Sequence, residues 1–333
     1  MASQLDYIAQ ARAVWGDRPR LMPKVPLWGL FDSGIGLAAA KYLASSGVSI
    51  VLVDVSPDLD AAVAEVKAVE GAGDVVPSPT DVAQVSQVIA LRDRVLDLYG
   101  EVQLLLNNAG VGRPTPAFSL TRDLADLQAD WATVLGVNMA GVINVAQVFA
   151  PLMARQENAS VIINTGSKQG ITTPPGNAGY NVSKAAVKVF TEQLAHELRN
   201  APDSNCTAHL FVPGWVWTNM TARGDLSKPK PAGAWTPEQT VEYMFEHVLE
   251  RGDFYVICPD NETDTKLDKA RIQWALGDII ENRPALSRWH PEWNARYEEF
   301  VSGRQGLAAR SRSRGRPLDR IPDAPTTAAE AIA

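Results

Sequence analysis

Cysteine, histidine and excess positive charge are all scarce in this 333-residue chain. The two cysteines, Cys206 and Cys258, lack the spacing of a metal-binding motif, so we expect buried free thiols in a reducing compartment. The four histidines are scattered along the chain, and the sequence therefore predicts no metal site. A net charge of −7 gives no general reason to expect a nucleic-acid partner.

Long apolar runs and a secretory leader are also missing. No apolar run approaches the roughly 20 residues that a membrane-spanning helix needs, so we expect no membrane partner. The N-terminal residues lack the basic start and apolar segment of a signal peptide, which makes the cytoplasm the default prediction. Hydrophobic residues make up 46% of the chain and charged residues 21%, which is ordinary for a globular protein.

Segments typical of buried strands alternate with segments of helical periodicity along most of the chain. Strands are predicted from Val25 and over six further segments: Val48–Asp54, Val75–Val76, Val102–Leu106, Ser160–Asn164, Cys206–Val212 and Phe254–Cys258. The clearest helices are predicted at Val85–Tyr99, at Asp123–Ala154 in two pieces, and from Tyr180 to about Arg199. Thr236 and Pro237 are a plausible N-cap and first residue of a later helix. This alternation predicts an α/β fold with a parallel, doubly wound sheet in a three-layer α/β/α arrangement.

Composition divides the chain into three parts. Residues 1–24 are interpreted as an N-terminal extension, and residues 25–303 as a single domain whose helical region from about residue 219 covers the substrate site. Residues 304–333 are rich in Arg, Ser, Pro and Ala and are predicted to be disordered. The six arginines of this tail could bind nucleic acid or an acidic surface. No aromatic residues are interleaved with them and the whole chain is acidic, which favours a solvated tail.

The segment from Ser167 to Lys184 contains the clearest candidates for proton chemistry. Tyr180 and Lys184 are four residues apart, so on a helix they share one face. An ammonium beside a phenol lowers the pKa of the phenol, which suits proton exchange near neutral pH. Ser167 lies thirteen residues before Tyr180 and could supply a hydroxyl to the same reacting oxygen. On many helices, however, a tyrosine and lysine with this spacing simply form a solvated face.

Small and polar residues follow the predicted strands one after another. In an open α/β sheet ligands bind at the carboxyl ends of the strands, so these residues are candidates for a shared site. In chain order they are Gly34, Ile35 and Gly36, then Asp54, Asp81, Asn108, Ala109 and Gly110, then Ser167, Pro213 and Gly214.

The first of these residues suit a dinucleotide. Gly34 and Gly36 allow the backbone to approach a pyrophosphate at a helix N-terminus. Asp54 could accept hydrogen bonds from the adenosine ribose, and Asp81 from the adenine edge. Each also has an ordinary explanation, as a turn, a strand end or an N-cap. No Lys or Arg stands at positions 32, 33, 55 or 56 to receive a 2′-phosphate, which favours NAD over NADP.

Several separate motifs form a common signature: Asn108-Ala109-Gly110, Asn138, Ser167, Tyr180-x-x-x-Lys184 and Pro213-Gly214-x-Val216-x-Thr218. With this set, the chain from about Val25 to Glu250 resembles the classical short-chain dehydrogenase/reductase family. The resemblance implies a Rossmann-like fold, an oxidoreductase that uses NAD or NADP, a small-molecule alcohol or carbonyl substrate, and a homodimer or homotetramer.

The resemblance also implies a role for each motif. Tyr180 would be the general acid in reduction and the base in oxidation, and Lys184 would lower its pKa and bind the nicotinamide ribose. Ser167 would polarise the substrate oxygen. Asn138 would maintain a local helix distortion and a water of the proton relay.

The last motif and the tryptophans near it concern the binding of the nicotinamide and the substrate. By the same resemblance, Thr218 and the backbone of Val216 would hold the nicotinamide carboxamide. Three tryptophans near this loop, Trp215, Trp217 and Trp235, either shape an apolar or aromatic pocket or simply pack the loop. The implied reaction interconverts an alcohol and a ketone or aldehyde on a small organic molecule, with secondary metabolism as one setting.

The chain departs from the family pattern before Gly34. Aligned without gaps, it has Leu30 where the first glycine of the pyrophosphate loop belongs, and Pro26 removes a backbone donor from the preceding strand. One explanation is an extra residue in the loop, with Gly29 serving as the first glycine. Another is that residues 1 to about 32 come from a mis-assigned coding segment. The alternative function is a cofactor-impaired protein with a binding or scaffolding role.

Overall fold

The computed structural model of this chain describes residues 34–222 and 224–305, with side chains as far as Gly303. The predictions for the N-terminal extension, the strand from Val25, Leu30 and nearly all of the Arg-rich tail concern residues outside these ranges.

Strands and helices alternate along the described residues. The strands are β1 Ile50–Asp54, β2 Val75–Pro79, β3 Leu104–Asn107, β4 Ser160–Thr165, β5 Cys206–Val212 and β6 Tyr255–Ile257. The α-helices are α1 Gly34–Ala44, α2 Leu59–Lys67, α3 Val85–Tyr99, α4 Leu124–Leu135, α5 Val142–Met153, α6 Gln169–Thr172, α7 Ala178–Asn200, α8 Pro237–Phe245, α9 Thr265–Ile280 and α10 Asn294–Gln305. Shorter helical turns lie at Gly136–Gly141, Glu246–Glu250 and Ser287–Trp289.

All strand pairs among the described residues are parallel. β1 pairs with β2, and a second sheet has the order β3-β4-β5-β6. The register places Asn107 opposite Asn164 and Val212 opposite Ile257, so the carboxyl ends of neighbouring strands meet at one edge. The predicted parallel α/β fold is therefore confirmed.

The two sheets share the same two layers of core. Ile50 and Leu52 of β1 join Leu104 of β3 in one apolar cluster, while Val51 and Leu105 belong to the other. This alternation follows from the two-residue period of a strand. Helices α1, α2 and α8 cover the first face, and α3, α5 and α7 cover the second. Each fully buried Val, Leu, Ile or Phe contributes about 1.5–3 kcal/mol, so both layers stabilise the sheet edge that carries the site.

The helix predicted at Asp123–Ala154 has two pieces, as expected. A π-helical turn at Gly136–Gly141 separates α4 from α5. By length and composition the segment Leu124–Met153 is apolar enough to cross a membrane, and it is the one such helix in the described ranges. Phe149 and Met153 are fully buried in the core cluster of the second face, as in the core helices of many globular proteins.

The C-terminal region adds helices beyond the sheet. The side chain of Thr236 accepts a hydrogen bond from the backbone of Gln239, and the Gln239 side chain accepts one from the backbone of Thr236. Pro237 is the first residue of α8, which confirms the predicted helix start. Helices α9 and α10 form a separate small core around Trp274 and Tyr297.

Candidate active site

Ser167, Tyr180 and Lys184 come together at the carboxyl end of β4. Tyr180 lies in the first turn of α7, Lys184 lies one turn further on, and the Ser167 side chain is hydrogen-bonded to Tyr180. The Ser167 Oγ also accepts a 3.2 Å hydrogen bond from the backbone of Gln169, which fixes its position after the strand. Lys184 Nζ lies 5.9 Å from the centroid of the Tyr180 ring. A hydroxyl pair with a neighbouring amine can bind and protonate an oxygen of a substrate.

Burial is the largest influence on the pKa values of Tyr180 and Lys184. It raises the pKa of the Tyr180 phenol above its usual value, and the hydrogen bond with Ser167 opposes that rise. Burial also lowers the pKa of Lys184 to about 8. The expectation that Lys184 lowers the pKa of Tyr180 is therefore wrong for the chain by itself. The physical reason is that desolvation of the buried phenol outweighs the opposing effect of its hydrogen bond with Ser167. The Lys184 ammonium donates its 2.7 Å hydrogen bond to the carbonyl of Thr165.

Asn138 lies in the π-helical turn and is fully buried. Its Oδ1 accepts a 2.7 Å hydrogen bond from the backbone of Val111, and its Nδ2 donates a 3.0 Å bond to the carbonyl of the same residue. A Cβ built on Gly110 would stand 3.6 Å from Asn138 Oδ1 and 3.9 Å from Lys184 Nζ. The loop after β3 therefore runs between the π-helical turn and Lys184.

The loops after β3 and β5 also meet their neighbours closely. Thr165 Oγ1 donates a 3.2 Å hydrogen bond to Asn108 Oδ1, and Ala109 is buried. Gly34, the first residue of α1, has φ +66°, and a Cβ there would lie 3.1 Å from Thr218 Cγ2. This position favours glycine, both for its left-handed backbone and for the close approach. The start of α1 and the loop after β5 thus lie side by side.

The segment from Pro213 to Thr218 is held by backbone contacts. A Cβ on Gly214 would come within 2.6 Å of the Pro259 carbonyl, so no side chain fits there. Val216 forms an isolated parallel bridge with Trp235. The backbone of Thr218 donates a 2.9 Å hydrogen bond to Thr221 Oγ1. These contacts define the course of the loop that faces Gly34.

The two predicted adenosine contacts have local roles in the structure. Asp54 is 2% exposed, and its Oδ1 accepts hydrogen bonds of 2.7 and 2.9 Å from the backbones of Val55 and Ser56. Asp81 Oδ1 accepts a 2.9 Å bond from Ala83. Asp81 is not the N-cap of α3, because Gln84 occupies that position. Their roles toward a nucleotide stay predictions.

The remaining residues of the predicted cofactor loop lie within α1. Ile35 is partly buried and packs against the core of the first face, and Gly36 is buried. The close approach of Gly34 to Thr218 places the N-terminus of α1 beside the loop that follows β5.

An ion cluster beside Ser167 was not predicted from the sequence. Lys168 Nζ lies 2.7 Å from Asp268 Oδ2 and 3.4 Å from Asp260 Oδ2. Asp260 Oδ2 also accepts a 3.0 Å hydrogen bond from the backbone of Trp215. Burial raises the pKa of Asp260, but the bond from Trp215 and the charge of Lys168 outweigh it, so the net shift is downward. The cluster joins the Ser167 segment to the loop after β5 and to α9. The only sequence signal was a lysine directly after the serine.

The described residues contain no candidate metal centre, and both cysteines are free thiols. No group of three or more His, Cys, Asp or Glu side chains within the described ranges could hold a metal ion. Cys206 and Cys258 are buried and free, as predicted, and burial raises the pKa of both thiols.

A parallel α/β sheet with serine, tyrosine and lysine side chains at its carboxyl edge defines a class of nucleotide-dependent oxidoreductases. Comparison with known proteins agrees: residues 31–228 match the family model described as short chain dehydrogenase. The chain belongs to this family, whose members are oxidoreductases that act on CH–OH groups with NAD or NADP.

Relatives in two organisms illustrate the range of the family. The chain is 34% identical over 206 residues to a 3-oxoacyl-(acyl-carrier-protein) reductase of Thermotoga maritima, covering 61% of this chain and 78% of that protein. It is 32% identical over 237 residues to the 3-hydroxyacyl-CoA dehydrogenase type-2 of Drosophila melanogaster, covering 66% and 90%.

A solved structure is similar over nearly its whole length. It is a short chain dehydrogenase/reductase from Burkholderia phymatum in complex with NAD, 31% identical, with a TM-score of 0.68. The match covers 80% of this chain and 97% of the Burkholderia protein.

Proposed function

We propose that this chain interconverts an alcohol and a ketone or aldehyde on a small organic molecule, with Tyr180 as the proton donor and acceptor. The observation that carries the proposal is the hydrogen-bonded Ser167–Tyr180 pair with Lys184 one helical turn away. The raised pKa of Tyr180 keeps its phenol protonated at neutral pH, which suits proton donation to the oxygen of a carbonyl during reduction.

The residues around this pair suit a dinucleotide. Gly34 and Gly214 lack a Cβ where the backbone comes close to other groups, and Gly34 begins a helix. A helix N-terminus and close backbone approach are what a pyrophosphate needs. When bound, the cofactor supplies or accepts the hydride. Thr218 and Val216 would then hold its carboxamide and Asp54 its adenosine ribose, while Asp81 lies near the end of β2 for the adenine.

Each catalytic side chain would hold or move a proton at a defined atom. The Ser167 hydroxyl would donate to the substrate oxygen as charge develops there. The Tyr180 hydroxyl would pass its proton to the same oxygen. Lys184, with a pKa of about 8, would restore that proton, and Asn138 would keep the loop at Val111 in place beside it.

We favour NAD over NADP as the cofactor. The carboxylate of Asp54 stands at the end of β1, and the residues that follow it, Val55 and Ser56, carry no positive charge for a 2′-phosphate. A carboxylate near that phosphate would repel it. We further propose a cytoplasmic homodimer or homotetramer, which rests on the family alone.

The alternative of a cofactor-impaired binding protein has no support among the comparisons or the described residues. It rests on Leu30, which lies outside the described ranges. The complete set of Ser167, Tyr180 and Lys184 argues for an enzyme.

The test is a titration of the full chain with NADH and NADPH, followed by a panel of alcohols and carbonyls with the preferred cofactor. Tighter binding of NADH and turnover of at least one panel member are expected. Absence of binding to both cofactors at millimolar concentration would contradict the proposal. Tighter binding of NADPH would contradict the preference for NAD only.

A further inference from the structure

A cavity lies beside the Ser167 segment. It has a volume of about 160 Å³ and lies between α6, the end of β6, α9 and the turn at Ser287–Trp289. Its apolar walls come from three isoleucines and a proline. Its polar lining consists of Lys168, Gln169, Thr172, Asp268, Arg271 and Arg288. We call it the arginine pocket.

The lining carries an excess of positive charge. Lys168 is neutralised by Asp268 and Asp260, as described above. Neither Arg271 nor Arg288 has a carboxylate within ion-pair distance among the residues that the structure describes. The charges of Asp268 and of Glu298 reach these arginines only from a greater distance. Two guanidinium groups therefore face the pocket without a direct counter-charge.

Arg271 is only partly satisfied by the protein. Its Nη1 donates a 3.1 Å hydrogen bond to Thr263 Oγ1, whereas its Nε is buried without a hydrogen-bond acceptor. A buried donor without a partner is costly, and a guanidinium is built to bind a carboxylate or phosphate through two parallel N–H groups. The unsatisfied Nε thus points to an anionic ligand.

Arg288 is positioned by aromatic rings and not by a carboxylate. Its guanidinium lies 4.7 Å from the ring centroid of Trp289 and 4.9 Å from that of Tyr297. Burial and the neighbouring charge of Arg271 lower the pKa of Arg288, while Tyr297 and Glu298 oppose that shift. An anion between the two arginines would relieve their repulsion.

The pocket adjoins the candidate catalytic serine. Its wall begins at Lys168, the residue after Ser167, and continues with Gln169, whose backbone donates to Ser167 Oγ. Both arginines lie beyond residue 228, outside the region that matches the family model. The pocket therefore combines the segment that follows Ser167 with two arginines from outside the family region, which can serve the particular substrate of this chain.

We propose that the arginine pocket binds an anionic group of the substrate, a carboxylate or a phosphate ester, while the alcohol or carbonyl of the same molecule lies at Ser167. This inference rests on the proposed function. It narrows the substrate class to hydroxy or oxo compounds that also carry an anionic group, and the chain-length series below measures the spacing between that group and the reacting carbon.

The test compares matched substrates. A series of oxo carboxylates of increasing chain length is assayed beside the corresponding methyl esters, and a series of oxo phosphate esters beside the corresponding unphosphorylated oxo alcohols. We expect the wild type to show a kcat/KM at least tenfold higher for the anionic member of the best pair. Arg271→Gln and Arg288→Gln should raise KM for that member about tenfold or more and leave the neutral member unchanged.

Controls separate loss of the pocket from loss of the fold. Arg94→Gln removes an exposed arginine of α3 far from the pocket and should change neither substrate. Arg271→Lys keeps the charge but not the paired N–H groups, so it should recover only part of the preference. Circular dichroism shows whether each variant folds. If Arg271→Gln fails to fold, Arg288→Gln decides the outcome.

Direct binding gives a readout that does not need turnover. Calorimetry with inorganic phosphate and with succinate, at ionic strength matched with chloride, should detect binding to the wild type and not to Arg271→Gln. Phosphate or succinate should also compete with the anionic substrate.

Equal kcat/KM for anionic and neutral partners, or anion binding that does not compete with substrate, would overturn the pocket assignment. Failure to bind both NADH and NADPH would instead overturn the proposed function, whatever the result of the anion titration.

Discussion

Lys184 Nζ donates a 2.7 Å hydrogen bond to the carbonyl oxygen of Thr165, the last residue of β4. The bond ties the first turns of α7 to the strand that leads into Ser167. The amine of Lys184 is only 4% exposed, and its hydrogen-bond partner carries no negative charge. Burial therefore lowers the pKa of Lys184, because no neighbouring anion among the described residues offsets the loss of water around the ammonium.

The first prediction concerns the phenol. Tyr180→Phe should lower kcat by a factor of about 10²–10⁴, because a positioned acid–base group contributes that much. NADH affinity should change little, since the ring remains in place. Steady-state kinetics and a fluorescence titration measure the two effects. Full activity of the variant would contradict the proton-transfer role of Tyr180.

The second prediction concerns pH and Lys184. The pKa of this lysine falls from 10.5 to about 8 on folding, so between these values the unfolded chain binds more protons than the folded one. Its contribution to the free energy of unfolding should therefore increase from pH 8 to 10.5, by at most about 1.4 kcal/mol per pH unit. Urea denaturation of the wild type and Lys184→Met across this range isolates the effect. A difference that stays constant with pH would refute the shift.

The third prediction concerns the contact between Gly34 and Thr218. Gly34→Ala should cost roughly 1–2 kcal/mol for its left-handed backbone, and its Cβ would press on Thr218 Cγ2 at 3.1 Å. Both the melting temperature and the NADH affinity should fall.

Gly252→Ala is the matched control for this variant. Gly252 has φ +64°, but a Cβ there meets nothing within 4 Å. It should lose similar stability and keep its NADH affinity. Equal NADH affinity in the two variants would show that the Gly34 contact plays no part in binding.

The fourth prediction concerns the ion cluster at Lys168. Lys168→Met leaves Asp268 and Asp260 without their cation, and removing one partner of a buried pair costs about 3–5 kcal/mol. Lys168 is 21% exposed, so the lower end of this range is expected. Chemical denaturation measures the loss.

The exposed pair of Lys228 and Asp225 provides the comparison. Its two side chains are 68% and 44% exposed, and Lys228→Met should change stability by about 1 kcal/mol or less. If both lysine variants lost the same small amount, the cluster at Lys168 would not be acting as a buried ion pair.

Local signals in the sequence predicted a large part of the fold. The observed bounds of α3 and β5 agree with the predicted Val85–Tyr99 and Cys206–Val212, because apolar periodicity and flanking turns mark both elements. The start of α8 was predicted from the cap residue Thr236. Each of these features depends on neighbours within a few positions of the chain.

Features that depend on distant residues were missed. Helix α10 has few apolar residues, and Tyr297 is buried only because Trp274 of α9 lies against it. The partners of Lys168 lie about ninety to a hundred residues away in the sequence, and no spacing rule connects them. The pKa of Tyr180 was predicted in the wrong direction, because burial of a phenol depends on the whole packed edge and not on one lysine.

The π-helical turn at Gly136–Gly141 also fixes the rotational phase of two helices. Such a turn holds one residue more than the regular helix, and each residue of an α-helix turns the chain by about 100°. Deleting a single residue there would let α4 and α5 merge into a regular helix. Only one of the two helices could then keep its present orientation. Either Phe149 would rotate away from the core, or Asn138 would rotate away from Val111. The number of residues in this turn therefore couples the packing of the second face of the sheet to the position of the Asn138 side-chain amide.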